Sequence, residues 1–317
     1  MSVASRSDLA HKRVLVTGAS GFTGRYMVAE LQSQQCHVIA VGSQGGVPGA
    51  DESHLADLRD AQALTALVQA TRPDVIVHLA ALAFVGHGSV EEFYSVNLMG
   101  TRNLLSAVEQ AGLALDRVLL ASSANVYGNA AAGVLDESTP PAPANDYAVS
   151  KLAMEYVAGL WKERLPITIV RPFNYTGVGQ AEQFLVPKIV SHFARRAPLL
   201  ELGNLEVSRD FGDVRAVVSA YRQLLETPEA TGQVVNVCSG RGHTLAEILA
   251  LCETLSGHSL DVRVNPAFVR ANEVKVLLGD NRRLLDLIGS WNSPPLEQTL
   301  AWMLQAAAPG TPVGGPG

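Results

Sequence analysis

Short β-branched runs alternate with amphipathic stretches through the first half of the chain. Residues 13–17 read RVLVT and residues 37–42 read HVIAVG; between them Arg25–Gln35 carries apolar side chains at Tyr26, Met27 and Leu31. Strand, helix, strand is the unit of a parallel sheet. The alternation predicts a helix near 60–71, a strand at 74–79, a helix near 91–111, a strand at 117–122, a helix over 147–163 and a strand at 166–171. Runs that stay apolar along most of their length, such as VIVHLAA and RVLLAS, suit strands covered by helices on both faces. Right-handed crossovers then give an α/β fold, an open, doubly wound parallel sheet of the Rossmann type. After Pro172 the texture changes to Gly- and Asn-rich loops, a helix near 184–195 and shorter segments. Residues 13–172 are therefore expected to form mainly the Rossmann domain. Residues 173–305 are expected to form mainly a smaller α/β lobe, with some strand and helix returning to the first sheet. The Ala, Pro and Gly of 306–317 predict a disordered tail.

Composition narrows the class. Net charge is −6 with pI near 5.8, so no basic footprint for nucleic acid or an anionic membrane is visible. No apolar run approaches the roughly 20 residues that span a bilayer, and Met1–Lys12 lacks the apolar centre of a secretory signal. Cys36, Cys238 and Cys252 have no metal-ligand spacing and lie in apolar segments, so they read as buried thiols in a reducing compartment. A cytoplasmic α/β enzyme without metal, nucleic-acid or membrane partners is expected.

VTGASGFTG places Gly18, Gly21 and Gly24, with Phe22 and Thr23, between the first strand and the first helix. A backbone that turns tightly beside a helix N-terminus can approach a pyrophosphate closely and offers it unpaired N–H groups. This position, opening the first strand–helix–strand unit, is where a dinucleotide site belongs. The second strand ends Val41, Gly42, Ser43, Gln44, and no carboxylate follows until Asp51. A 2′-phosphate is therefore not repelled, which favours NADP(H), although no arginine follows and NAD(H) remains open. Downstream, Asp57 and Leu58 form an acidic–apolar pair of the kind that approaches an adenine ring; a helix N-cap is an equal alternative for Asp57.

NDYAVSKLAMEY sets Tyr147 and Lys151 four apart at the start of an amphipathic helix, hence on one face. A phenol of ordinary pKa about 10 exchanges protons poorly at neutrality, and an adjacent ammonium is expected to bring it into range. Ser122 and Ser123 close the strand at 117–122, where a hydroxyl can bind the oxygen of a carbonyl being reduced. His78, in an apolar strand, reads as a hydrogen-bonded core histidine. Trp291 and Trp302 also read as core, and Asp213 as a helix cap.

TGxxGxxG, SSxxVYG, YxxxK and RPFN in this order resemble the extended short-chain dehydrogenase/reductases, the NAD-dependent epimerase/dehydratase family acting on nucleotide sugars. The resemblance covers roughly residues 13–305. It implies a Ser–Tyr–Lys triad at Ser123, Tyr147 and Lys151; Ser123 is the match because it lies four residues before Tyr127. It also implies that Leu79, Ala80 and Ala81 pass beside the cofactor, and that the helices at 91–111 and 147–163 build a four-helix homodimer interface. Where the family's 4,6-dehydratases carry carboxylates after the triad hydroxyl, this chain has Ala124 and Asn125, which supply no acid or base. Dehydration is thereby demoted.

LGNLEVSRDFGDV, the NVCSG run at 236–240 and RANEVKVLLGD are similar to GDP-sugar enzymes, above all GDP-4-keto-6-deoxy-mannose reductases and GDP-mannose 4,6-dehydratases. That resemblance implies a diphosphate held by Asn174, Lys188 and Arg209, and a nucleoside held by Arg270 and Glu273. Guanidinium forks neutralise a diphosphate, and a carboxylate accepts both ribose hydroxyls. The expected reaction is NAD(P)H-dependent reduction of the C4 keto group of a GDP-linked 4-keto-6-deoxy sugar, giving GDP-D-rhamnose first and its C4 epimer GDP-6-deoxy-talose as the alternative, since the sequence does not set the face of reduction. A nucleotide-sugar 4-epimerase with bound NAD is the alternative. A non-catalytic cofactor sensor would be expected to lack Tyr147 or Lys151, and both are present.

Overall fold

The structure, a computed structural model, describes residues 8–43, 45–83, 89–128, 133–268 and 275–308. In the first half, β1 (Arg13–Thr17), α1 (Phe22–Ser33), β2 (His37–Gly42), β3 (Glu52–Leu55), α2 (Ala61–Thr71) and β4 (Val75–His78) follow in turn. A short α3 (Val90–Glu92) then runs through a π-helical stretch, Phe93–Gly100, into α4 (Thr101–Ala111). β5 (Arg117–Ala121), a 3₁₀ turn at Ala124–Tyr127, β6 (Val134–Leu135), α5 (Asp146–Gly159) and β7 (Ile167–Pro172) complete it. The second half holds β8 (Asn174–Thr176), α6 (Leu185–Ala194), β9 (Leu199–Leu202), β10 (Ser208–Asp213), α7 (Val214–Glu226) and β11 (Val234–Val237). It ends with β12 (Gly242–Thr244), α8 (Leu245–Ser256), β13 (Asp261–Val264), β14 (Val276–Gly279), α9 (Arg282–Ile288) and α10 (Leu296–Ala307).

Seven strands form one sheet in the order β11-β7-β5-β4-β1-β2-β3, parallel at every pairing. Alternate residues of β1 serve opposite faces. Val14 and Val16 join the core under α1 and α7 with Met27, Leu31 and Val217, whereas Leu15 joins Leu64, Leu105 and Met154 of α2, α4 and α5. With both faces covered, an unbroken apolar strand has no exposed side, which is why these runs lack polar alternation. The chain reverses its direction of growth between β1 and β4, opening a crevice beyond their carboxyl ends, where ligands bind in such sheets.

The split expected at Pro172 is crossed both ways. β11 returns from the second half to lie beside β7, and β6, from the first half, pairs with β14. The second sheet runs β12-β10-β14-β6, with β8 also on β10, and β13 pairs with β9. Helices α6, α8 and α10 close a separate core around Ile189, Phe193, Ile248 and Leu300. The helix expected over 147–163 stops at Gly159. The tail expected from 306 is corrected at its start, because α10 continues to Ala307; residues 309–317 lie outside the described residues. Asp213 caps α7, accepting from the Arg215 N–H at 2.8 Å, and all three cysteines are buried.

Candidate active site

The turn after β1 uses its glycines for two different purposes. Gly18 has φ +70°, and a Cβ there would lie 2.7 Å from Ala80 N; a Cβ at Gly24 would lie 2.1 Å from Gly18 O. These two allow the turn to close on itself and on the strand end Leu79–Ala80. Leu79 N donates to Thr17 O at 3.2 Å and Ala80 N to Thr17 Oγ1 at 3.3 Å, so residues 79–81 run alongside the turn. A Cβ at Gly21 would meet only Gly18 O, at 3.1 Å, and otherwise enter open space. Gly21 is also the N-cap of α1, with no side chain capping that helix. Open space beside glycine, uncapped N–H groups at Phe22, Thr23 and Gly24, and the positive end of a helix dipole fit a pyrophosphate.

Ser43 is exposed at the end of β2. Ala56 N donates to Gly42 O at 3.2 Å, so the segment after β3 leaves the sheet next to Ser43. There Asp57 is exposed and forked by Arg59, with Nη2–Oδ2 at 2.6 Å. Asp57 does not cap α2, whose N-cap is Asp60. Leu58 is turned into the core, so close to Gly100 that a Cβ there would lie 2.7 Å from its own. Arg59 carries no signal in the sequence, because it follows Asp57 by two residues and β3 separates it from the end of β2.

At the carboxyl end of β5, beside β4 in the sheet, α5 presents Tyr147 and Lys151, both buried, on one face. Asn145 caps the helix through Ala148 N at 2.9 Å. The Ser123 hydroxyl accepts from Asn125 N and Nδ2, both at 3.1 Å, and is in hydrogen-bond contact with the Tyr147 phenol. Lys151 Nζ donates to Ala121 O at 2.7 Å. Burial pushes Lys151 down to about 8 and Tyr147 up to about 12. This corrects the expectation of a phenol brought toward neutrality, because desolvation outweighs the hydrogen bond with Ser123, and the Lys151 ammonium is turned to a backbone carbonyl instead. His78 is a core residue, held between Thr17 Oγ1 at 2.6 Å and Thr101 Oγ1 at 2.9 Å; burial lowers it to about 3, so it stays neutral.

The substrate residues expected in the second lobe are partly brought together. Asn174 is exposed on β8, whose pairing with β10 sets it opposite Phe211, two residues from Arg209. Arg209 Nη1 donates to Ser208 O and Lys275 O, both at 2.9 Å. Lys188 on α6 donates to Glu201 O at 2.7 Å and lies 4.3 Å from the Phe268 ring. Arg270 and Glu273 lie outside the described residues, as does His87. Tyr175, next to Asn174, reaches across to the cofactor turn, its hydroxyl 2.7 Å from Thr23 Oγ1; only the fold shows that contact. No metal-ligating cluster occurs among the described residues.

A dinucleotide-type turn beside a Ser–Tyr–Lys cluster on a parallel sheet is the arrangement of an NAD(P)-dependent oxidoreductase. The chain belongs to the NAD dependent epimerase/dehydratase family, whose description matches residues 14–238. It is 36% identical over 279 residues to a GDP-6-deoxy-D-talose 4-dehydrogenase of Aggregatibacter actinomycetemcomitans (88% of this chain, 92% of the relative). It is 34% identical over 304 residues to a GDP-6-deoxy-D-mannose reductase of Pseudomonas aeruginosa (92% and 96%). Among solved structures, a putative epimerase from Burkholderia cenocepacia superposes with TM-score 0.87 at 49% identity, covering 94% of this chain and 99% of that one. RMD from Pseudomonas aeruginosa, solved with NADPH, superposes with TM-score 0.83 at 33% identity, covering 95% and 99%.

Proposed function

We propose that the protein reduces the C4 keto group of GDP-4-keto-6-deoxy-mannose, giving GDP-D-rhamnose, with NADPH preferred over NADH. The observation that carries this reading is the gathering of Ser123, Tyr147 and Lys151 beside the glycine turn, with Ala124 and Asn125 where a dehydratase needs carboxylates. The names of the GDP-6-deoxy-sugar relatives support the substrate class. When bound, the reduced nicotinamide supplies the hydride. Ser123 holds the C4 oxygen in place, and Tyr147 protonates it as charge develops there. A phenol held near 12 keeps its proton at neutral pH, which suits an acid whose acceptor is an alkoxide. Lys151 offers its positive charge beside that oxygen. Gly18, Gly21, Phe22, Thr23 and Gly24 would hold the pyrophosphate, Leu79–Ala81 would flank the cofactor, and Asp57 would approach the adenine. Ser43 and Arg59 at the adjoining strand ends favour the 2′-phosphate, in line with the NADPH found in RMD. Asn174, Lys188 and Arg209, with Arg270 and Glu273, would grip the GDP.

Residues 13–172 would serve mainly the cofactor and 173–305 mainly the nucleotide sugar. A homodimer is part of the proposal, as is a cytoplasmic location; no helix among the described residues is long and apolar enough to cross a membrane. Leu104 and Leu105 are core residues, and Leu152 and Val157 are partly buried against core clusters. The exposed large apolar side chains of the same helical region are instead Val90, Met99, Val149, Tyr156 and Leu160. The likeness to a putative epimerase favours one second reading, a nucleotide-sugar 4-epimerase with bound NAD. Incubation with GDP-4-keto-6-deoxy-mannose and each reduced cofactor, with NMR of the sugar, separates the two. A reductase oxidises cofactor in step with product, whereas an epimerase shows no net cofactor turnover.

A further inference from the structure

A buried ionic network lies directly beneath the Ser–Tyr–Lys cluster. One helical turn after Lys151, Glu155 points its carboxylate into the gap between α5, β5 and β7. Arg171 of β7 grips it with two parallel hydrogen bonds, Nε–Oε1 at 2.9 Å and Nη2–Oε2 at 2.6 Å. Ser122, the neighbour of Ser123, donates to the same Oε1 at 2.5 Å. The third arm of the guanidinium reaches the Tyr127 hydroxyl at 3.0 Å, and Tyr127 donates to Asn236 Oδ1 of β11 at 2.7 Å. Asn236 then donates to Leu135 O of β6 at 3.0 Å. Each group is buried, and each spends its hydrogen bonds inside the network.

A buried ion pair is a doubtful source of stability, since desolvation offsets most of its Coulomb gain. Its position argues for a different use. The carboxylate touches the strand end that carries Ser123 and shares a helix face with Lys151. The groups around the lysine are few. Tyr147 and Glu155 lie one turn either side of it on α5, Ala121 O of β5 accepts its hydrogen bond, and Arg171 of β7 sits on the far side of Glu155. Neutral His78 closes β4. Tyr175 of β8 and Tyr221 of α7 lie behind Tyr147 and stay protonated, burial raising both. Among the described residues Glu155 is thus the one anion acting on Lys151, opposing the burial that drives its proton off.

We propose that Glu155, clamped by Arg171, is a positioning residue for the reaction: it fixes the Ser122–Ser123 strand end and keeps Lys151 charged before substrate arrives. This rests on the functional reading above and names what sets that site's working pH.

The test uses Glu155→Gln in the full chain, with two readouts. Trace labelling with acetic anhydride over a range of pH, read by mass spectrometry on the Lys151 peptide without cofactor, reports the lysine's protonation without any turnover. The midpoint moves down by about one pH unit in Glu155→Gln, as expected when a nearby opposite charge is removed. The alkaline limb of kcat/KM for reduction, which reports free-enzyme groups, moves with it. That ratio therefore falls about five-fold at pH 8 and much less at pH 6 for a one-unit shift. Glu155→Asp, which keeps the charge, restores most of the labelling midpoint. If Glu155→Gln leaves Arg171 too exposed electrostatically to fold, Glu155→Gln with Arg171→Gln removes both buried charges and moves the midpoint down by less, because the cation that opposed the carboxylate is lost with it. An unchanged midpoint and an unchanged alkaline limb in a folded variant overturn the proposal. Full activity in Tyr147→Phe would overturn the functional reading instead, and the labelling arm would still decide the role of Glu155.

Discussion

A phenol buried without a counter-charge holds its proton tightly, and Tyr147 is such a phenol. Tyr147→Phe removes the one acid placed against Ser123 while keeping ring and volume. Turnover should fall by about 10² or more with cofactor affinity within a few-fold, as measured by steady-state kinetics and cofactor fluorescence titration. Near-normal turnover would take Tyr147 out of the mechanism. Lys151 is the group that titrates first in the alkaline range. With burial holding it at about 8 against an ordinary 10.5, its charge is present below that pH and lost above it. Because kcat/KM reports groups of the free enzyme, it should decline on the alkaline side near pH 8 while Tyr147, near 12, is still protonated. A profile flat to pH 10 would contradict a role for the ammonium. Arg209 tests the other end of the substrate. Losing one charge-assisted contact costs roughly 1.5–3 kcal/mol, so Arg209→Ala should raise KM about ten- to a hundred-fold with a smaller change in kcat. Lysine should rescue only part, because it supplies charge without the fork. An unchanged KM would retire the diphosphate role.

Within one element, the turn from β1 to α1, three glycines that look alike in sequence separate in space. A Cβ at Gly24 would strike Gly18 O at 2.1 Å, whereas one at Gly21 meets only Gly18 O at 3.1 Å, beside open space. Gly24→Ala should therefore lower the stability of the cofactor-free chain by at least about 2 kcal/mol, seen in denaturant melts. Gly21→Val should leave a folded chain that no longer binds NADP(H), because its branches occupy the pyrophosphate's place. Tight binding in folded Gly21→Val would defeat this placement of the loop. The glycine spacing was legible in the sequence, but this division of labour was not, since it depends on Ala80 and on the turn's own carbonyl. The same limit hid β3. Its residues Glu52, Ser53, His54 and Leu55 are polar enough to read as loop, yet an edge strand pairs on one side only and tolerates such residues. The helix near 91–111 was legible in extent, but its π-helical middle was not, because no periodicity marks one extra residue in a turn.

At the scale of the whole molecule, most of the parallel sheet was readable because β1, β2, β4, β5 and β7 are apolar on both faces. The second lobe was not, because β6, β8 and β12 are only two or three residues long and the strands of its sheet come from distant parts of the chain. Ser123, Tyr147 and Lys151 were legible from spacing, whereas the Glu155–Arg171 network and the Thr23–Tyr175 contact needed the fold to bring their partners together. What remains outside any core is the apolar side of α5. Val149, Tyr156 and Leu160 follow at intervals of seven and four, which is one helical face, and Met99 stands in the π-helical stretch packed against that helix. The other large exposed apolar residues, such as Leu55, Val134 and Val264, are scattered over separate elements, as on any monomer surface. A second copy of the same face would cover this one, and a stable interface needs about 800 Å² from each partner, which two long helices can supply. Tyr156→Glu with Leu160→Glu would place two charges at its centre. Sedimentation velocity should then show a dimer for the unaltered chain and a monomer for the variant. Cofactor affinity should be retained, because every residue assigned to the cofactor lies within one chain. A variant that sediments as a dimer would show that α5 does not form the interface.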